Sequence, residues 1–423
     1  MIQSMTKIGI RRLIMTDIKN VSWEKGKRVA IIGAGPGGVS AALGLLRQGY
    51  DVRIFEKSAE PKPLGGAVLL SVPVLAVLRY YGVDLNNFGS FTVTEFRNHK
   101  GKLRAKLPFN KKVEESFGIK GWHYGMLRAN AFEKMMNLLP EGTIVGNSDF
   151  DRYEESSDQV TVYFKNGEFV EADIVVGADG IRSGVSSQAF GEPDLFHVGL
   201  RVWLAWCNPI DGIPKQQGVI SHSHKYQASF FPMMHNGKPG YEWWIVEPVK
   251  ENEPHPKDPK AYITDILKGW FDPLPRFPEA TDFDKQVFAW DIYNRPSMKK
   301  WSKGRVVCLG DAVHPVSPYA AYGMGMAIED GYFLATFLGG VNLSDAAAVQ
   351  EGFVGFEGER VDYVNHHVEF ARELGKRFHH APYPVAKVRD FVFDHTAVLQ
   401  KLIAKDYLGD AEKMSLSMTE LHV

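Results

Sequence analysis

Apolar residues along the chain fall into three patterns, and each predicts a different kind of element. Residues 28–32, 51–56, 173–177 and 305–309 read as strands, and all but 51–56 carry a short unbroken apolar run. Such runs read as strands buried on both faces, the habit of a parallel sheet. Between the first two lies residues 39–48, whose small side chains suit a helix packed closely on that sheet, with Gly49 as its stop.

Alternation marks the second pattern. Residues 160–165 and 168–172 flank Asn166-Gly167, a hairpin signal. Residues 199–207, 218–231 and 241–247 read as strands of an antiparallel sheet, within a stretch from 191 to 299 rich in Trp, Tyr, Phe and His. Along 218–231 the alternation sets His222, His224, Tyr226 and Phe230 on an inward face. It sets Ser221, Ser223, Lys225, Gln227 and Ser229 on a solvent face. In the preceding strand Arg201 and Trp203 share one face.

The third pattern is helical. Spacing over 346–378, including Phe353, Phe356, Val361 and Val364, predicts a long helix with Asp345 as its cap. A further helix is predicted over 391–407, and another from Gly323 through Phe337.

Composition narrows the function classes. The 423 residues suffice for two domains sharing an interface. A net charge of −1 predicts no nucleic-acid partner. No apolar run reaches the length of a membrane span. Cys207 and Cys308 make no disulfide framework, which fits a cytoplasmic protein, and Cys308 reads as a small buried hydrophobe. Residues 1–26 lack a continuous hydrophobic stretch and a cleavage site. They predict a disordered leader rather than a secretory signal. His222-x-His224 would leave a metal's coordination shell half empty, so no metal site is predicted.

The candidate chemistry begins where the first strand ends. Gly33-Ala34-Gly35-Pro36-Gly37-Gly38 follows it directly. Gly33 permits a tight turn, Gly35 lets a pyrophosphate approach the backbone, and Gly38 lets the helix pack on the sheet. The helix N-terminus offers free N–H groups and a partial positive charge to a phosphate. Glu56 closes the second strand about 20 residues on, where a carboxylate can bind ribose hydroxyls. It would repel a 2′-phosphate, which leaves FAD and NAD open at this site.

Two later segments decide between them. The run at 173–177 ends in Ala178-Asp179-Gly180-Ile181-Arg182-Ser183, and the run at 305–309 delivers Gly310-Asp311 at its carboxyl end. With the first motif, these resemble the GxGxxG, DG and GD fingerprints of the group A flavoprotein monooxygenases, the family of para-hydroxybenzoate hydroxylase. The resemblance spans roughly residues 27 to 375. It implies that Asp311 binds the ribityl chain of FAD and that Asp179, Gly180 and Arg182 serve both FAD and the NAD(P)H route. Tyr124-Gly125-Met126-Leu127-Arg128 resembles another FAD-contacting stretch, which makes Arg128 a cofactor ligand. Pro36, Gly37, Lys57, Gly310, Pro318, Gly323 and Met324 are further cofactor positions by the same resemblance.

The segment after Asp311 departs from the family pattern. Many relatives carry Gly-Gln-Gly and then Asn before a Glu-Asp pair. Here Ala321, Tyr322, Gly323 and Gly325 stand in those places, and Gly323 and Glu329-Asp330 are kept. Flavin contact through the backbone is still implied. Tyr322 either stacks near the ring or fills space.

The expected fold is α/β: a Rossmann-like FAD-binding domain with an inserted antiparallel-sheet substrate domain and a C-terminal helical segment. The FAD-binding domain takes residues 27–85, 120–190 and 300–345. The substrate domain takes 86–119 and 191–299, and C-terminal helices take 346–423. The resemblance implies a single-component monooxygenase, monomeric or homodimeric. NADPH or NADH reduces FAD, O2 adds to give a flavin C(4a)-hydroperoxide, and an aromatic or polyketide-like small molecule is hydroxylated. His222, His224, Tyr226 and Arg201 are the candidate catalytic residues, though for any one of them a place in the packed core is the favoured reading. The alternatives are a flavin-dependent dehydrogenase or reductase, a halogenase, and a flavin-binding protein without turnover. The halogenases usually carry Trp-x-Trp-x-Ile-Pro, and residues 241–246 do not match it.

Overall fold

The computed structural model describes residues 23–61, 65–107, 111–317 and 322–406, with residues 415 and 418. A six-stranded sheet forms the first half of the architecture. Its order is Ser302–Lys303, Val306–Cys308, Ile174–Gly177, Arg28–Ile32, Asp51–Phe55, Ile144–Val145. The four central strands run parallel, and Arg28–Ile32 is buried throughout, as its unbroken apolar run predicts. The helix Pro36–Arg47 crosses this sheet and packs on the helix Gly323–Phe337. Small residues make that approach possible. A Cβ on Gly44 would lie 2.6 Å from Ala335 Cβ, and Ser40 Oγ donates to the Ile328 carbonyl at 2.6 Å.

The second sheet is larger. Its path runs Val287–Asn294, Phe196–Cys207, Lys238–Pro248, Gln227–His235, Gln217–His222, Ser90–Asn98, His123–Leu127, Ala67–Ser71, with Leu103–Lys106 paired to Ser90–Asn98. Most neighbours are antiparallel, but Gln217–His222 runs parallel to Ser90–Asn98. Ala67–Ser71 and His123–Leu127 belong to this sheet, so the chain passes between the two sheets several times. One face carries Leu69, Val202, Phe231, Trp244 and Val246. The other carries Trp203, Phe230, Trp243 and Ile245, packed against Ile263 and Leu267 of the helix Pro259–Leu267.

Three expectations change. First, the predicted strand 218–231 is two strands, Gln217–His222 and Gln227–His235. Ser223 Oγ accepts from the backbone N–H of Lys225 (3.2 Å) and Tyr226 (2.9 Å), a serine-stabilised turn that alternation does not register. The turn resets the phase, so His222 lies opposite Gln227. Gln227 and Ser229 therefore join the His222 face and are buried. Ser221 stays on the opposite face and is buried because that face is packed too, and Phe230 lies there, 5.3 Å from Phe277.

Second, the predicted helix 391–407 is two helices, Tyr383–His395 and Val398–Asp406. Pro384 falls in the first turn of the earlier helix, where it is tolerated, and extended Thr396 ends that helix. Third, residues 23–26 belong to the folded body rather than to a disordered leader. Trp23 stacks on Phe55, and the Gly26 N–H donates to Asp173 at 2.8 Å. The rest of the predicted leader lies outside the described residues.

The long helix Ala346–His379 forms with Asp345 as its cap, and Phe353, Phe356, Val361 and Val364 are buried. Among the described residues, no helix is long and apolar enough to cross a membrane.

Candidate active site

The glycine-rich turn divides its labour as its spacing suggests. Gly33 sits at φ +101°, and a Cβ there would lie 2.5 Å from the Ala178 carbonyl. A Cβ on Gly38 would collide with the Gly33 carbonyl. Both positions are closed by protein. Gly35 differs: its Cβ would have no neighbour nearer than 4.0 Å and would enter a cavity of about 700 Å³. Gly35 is also the N-cap of the helix Pro36–Arg47, with no side chain capping it. The helix start therefore presents its N–H groups to that cavity, the arrangement that favours a phosphate. Glu56 accepts from the Ala34 N–H at 3.0 Å and the Ser58 N–H at 2.9 Å, so its carboxylate braces the turn. Lys57 is exposed and does not line the cavity.

Three other segments complete the cavity wall. Gly180, Ile181 and Arg182 form one edge, with Arg182 exposed at the rim. Asp179 does not line it. Its carboxylate accepts from Ser183 Oγ and from the N–H groups of Gly184 (2.8 Å) and Val185 (3.3 Å), which shapes the loop carrying Gly180 and Arg182. Gly310 and Asp311 lie at the end of Val306–Cys308, and Gly310 needs φ +60° to make that turn. Arg128 opens the helix Arg128–Met136, and its backbone N–H donates to Gly66 at 3.1 Å. Burial lowers its guanidinium and raises the Asp311 carboxyl. The charges of Asp311 and Arg128 oppose those shifts. Gly323 and Met324 begin the helix Gly323–Phe337 and also line the cavity. Pro318 lies outside the described residues.

These residues fit a flavin dinucleotide. A free helix N-terminus and an arginine suit the pyrophosphate, an aspartate suits the ribityl hydroxyls, and a second helix N-terminus meets the ring end.

A buried ionic cluster supports this wall, and the sequence reading did not assemble it. Asp330 accepts from the Gly310 N–H (3.0 Å), from Arg360 Nε (2.8 Å) and pairs with His314 Nε2 (2.5 Å). Arg360 also reaches Glu329 at 3.1 Å, and Glu329 accepts from the Tyr322 hydroxyl. That hydroxyl lies 3.0 Å from Ser71 Oγ. Burial raises the Glu329 carboxyl to about 7 against the pull of Arg360. Burial also opposes ionisation of Asp330, but His314 and Arg360 hold it below the ordinary carboxylate range. The available signal was Arg360 itself, a cation four residues from both Phe356 and Val364 on the apolar stripe of its helix.

A second cavity of about 590 Å³ adjoins the first, and the two share Leu69 and Tyr322. It lies between the large sheet and the C-terminal helices, and its lining is mostly apolar. The His222 ring stacks on Phe378 at 3.9 Å within it. Burial drives His222 well below its ordinary pKa and lowers His123 to about 3, so both are neutral imidazoles at neutral pH. Thr94 and Gln227 add polar atoms to the same wall.

Of the four candidate catalytic residues, only His222 lines this cavity. His224 is exposed in the turn, in edge contact with Tyr383. Tyr226 packs against the far-face core. Arg201 is buried, pairing with Asp291 at 2.6 Å and donating to the Glu253 and Pro254 carbonyls. His123, Thr94 and Gln227 were not singled out in the sequence. Gln227 was hidden by the phase error, and the other two lie on strands outside the aromatic-rich stretch.

Residues 27–371 match the family model described as an FAD binding domain. The chain is 27% identical over 359 residues to 6-hydroxynicotinate 3-monooxygenase of Pseudomonas fluorescens, covering 80% of this chain and 90% of that one. It is 27% identical over 374 residues to a 3-amino-4-hydroxybenzoate 2-monooxygenase of Streptomyces platensis, covering 86% and 91%. Among solved structures it resembles Klebsiella pneumoniae HpxO complexed with FAD and uric acid. The TM-score is 0.77 at 22% identity, over 94% of this chain and 97% of that one. The chain belongs to the FAD-binding-domain family of group A flavoprotein monooxygenases and is an FAD-dependent oxidoreductase.

Proposed function

We propose that this protein is a single-component aromatic hydroxylase that takes electrons from NADH or NADPH and one oxygen atom from O2. The observation that carries this reading is the pair of cavities meeting at Leu69 and Tyr322. One is polar where a dinucleotide needs N–H groups, an arginine and a carboxylate. The other is apolar and large enough for an aromatic molecule. A substrate ring in the second cavity would stand at the ring end of a flavin held in the first.

Bound FAD supplies the electron transfer and oxygen activation that no side chain provides. The chain's own residues do the rest. Arg128 and the Gly35 helix start hold the pyrophosphate, and Asp311 holds the ribityl hydroxyls. The uncapped helix start at Gly323 favours negative charge at the flavin end. Phe96, Ile220 and Phe378 exclude water, and His222 orients the substrate. Exposed Arg182 stands where a transient nicotinamide dinucleotide could dock. The relatives' names support ring oxygenation as the reaction class.

The test is turnover of FAD-loaded protein with NADH or NADPH, ¹⁸O2 and a panel of phenols and polyketide-like aromatics. The expected product carries one ¹⁸O atom on a ring carbon. Flavin reduction with no oxygenated product across that panel would refute hydroxylation and favour a dehydrogenase.

A further inference from the structure

Building on the proposed hydroxylase reading, we infer that the 590 Å³ cavity selects an uncharged aromatic of two or more rings bearing a hydroxyl or N–H donor, and disfavours a carboxylate on the reacting ring.

The argument starts with the buried polar atoms. Gln227 is 2% exposed, and its Nε2 is engaged by Ser229 Oγ at 3.1 Å. Its Oε1 makes no hydrogen bond of full geometry, although the His222 ring is close enough to interact with the Gln227 side chain. Thr94 Oγ1, on the same cavity wall, is buried without a partner. A buried oxygen without a well-aligned donor is costly, and the cost is relieved when a ligand hydroxyl or N–H arrives. A site of this kind discriminates strongly against an analogue that lacks the donor.

Charge gives the second constraint. The cations on the cavity wall are either engaged or at the rim. Arg389 donates to the Arg377 and Phe378 carbonyls and pairs with Asp390 at 2.8 Å. Arg377 is 60% exposed and pairs with Glu373, and Lys376 is exposed. The deep wall holds the neutral imidazoles of His123 and His222, the Gln227 oxygen and hydrocarbon. A carboxylate moved there would lose its hydration, and the buried cations whose charge reaches His222, Arg104 and Arg389, are already paired with Asp390 and Asp394.

Size gives the third. A cavity of about 590 Å³ lies in the range that encloses drug-sized ligands, well beyond a single substituted benzene ring.

The test measures binding apart from turnover. FAD-loaded enzyme is titrated without NAD(P)H, and the flavin absorbance change reports affinity. The probes are 2-naphthol, 2-methoxynaphthalene and 3-hydroxy-2-naphthoate at pH 7.5. The expected result is 2-naphthol tighter than each of the other two by at least about tenfold, the scale of one hydrogen bond to a buried group. Gln227→Leu should collapse the preference for naphthol over its methyl ether while FAD content stays unchanged. Thr94→Val provides a second variant and should narrow the same ratio. Tighter or equal binding of the naphthoate overturns the inference. So does an unchanged naphthol-to-ether ratio in both variants, or no spectral response to any probe. Neutral preference with no hydroxylated product would leave the inference standing and sink only the hydroxylase reading. Hydroxylation of the naphthoate in preference to naphthol would do the reverse.

Discussion

Removing the guanidinium of Arg360 by Arg360→Met should destabilise the fold in a way that depends on pH. The side chain is fully buried, contacts Asp330 at 2.8 Å and Glu329 at 3.1 Å, and lies 5.2 Å from the Phe333 and Tyr363 ring centres. Methionine keeps apolar contact with the rings but leaves two buried carboxylates facing each other. Breaking a buried pair by deleting one partner costs about 3–5 kcal/mol. The lower end applies at acid pH, because Glu329 titrates near 7 and can shed its charge.

The sign follows from the same group. Its folded pKa is raised above the unfolded value. The wild type therefore loses stability as pH rises toward 7 and no further beyond it. Without Arg360 the folded pKa of Glu329 climbs higher, and the variant keeps losing stability above 7. The gap between variant and wild type should widen from pH 6 to pH 8, by up to about 1.4 kcal/mol per pH unit. Urea unfolding followed by circular dichroism and tryptophan fluorescence measures it, with coincident transitions required before free energies are extracted. Adding Glu329→Gln to Arg360→Met should recover about 1 kcal/mol or more at pH 8, because one orphaned charge is gone. A destabilisation below about 1 kcal/mol, or a gap that narrows as pH rises, would refute the reasoning.

The glycines should separate stability from cofactor affinity. Gly35→Val puts its side chain into the dinucleotide cavity, so FAD affinity should fall at least about tenfold with little change in the apoprotein's melting temperature. Gly38→Ala meets the Gly33 carbonyl instead and should cost about 1–3 kcal/mol in the apoprotein itself; equal effects from both would argue against this division. Glu242 is buried beneath the cavity-lining segment at Gly66, accepts from the Ala67 N–H at 2.8 Å, and burial drives its carboxyl well above the ordinary value. Its folded state holds a proton that the unfolded state releases, so it lowers stability as pH rises above the usual carboxylate range. Glu242→Gln should therefore gain on the wild type in thermal melts between pH 6 and pH 9, and a constant difference would show the group to be ionised already.

What the sequence made legible was what local chemistry determines. The parallel strands, the glycine turn and the long capped helix depend on short-range spacing, and they stand where the spacing placed them. Ser223 shows where that ends. One side-chain hydroxyl makes a turn inside an apparently continuous strand, and every face assignment beyond it reverses. Gln227 therefore moves from solvent to the cavity wall. Arg201 shows a second limit. Its cross-strand neighbour Asp291 is 90 residues away, so no pattern near Arg201 reveals that its charge is already matched.

The ionic cluster and the small cavity belong to the same physical problem. A flavin site must hold charge at one end and an apolar substrate at the other, within one shared wall. Tyr322 occupies that wall. Its hydroxyl is fixed by Glu329 and Ser71, and both cavities share the residue as lining. The Glu329–Arg360–Asp330 set thus anchors the tyrosine on one side and, through the Gly310 N–H, the turn carrying Asp311 on the other. Family pattern alone left Tyr322 between two roles. The buried bonds at its hydroxyl favour a fixed divider, whose ring position depends on ionic partners that line neither cavity. A Tyr322→Phe variant should therefore alter FAD affinity and substrate-analogue affinity together, whereas a space-filling ring would leave both intact.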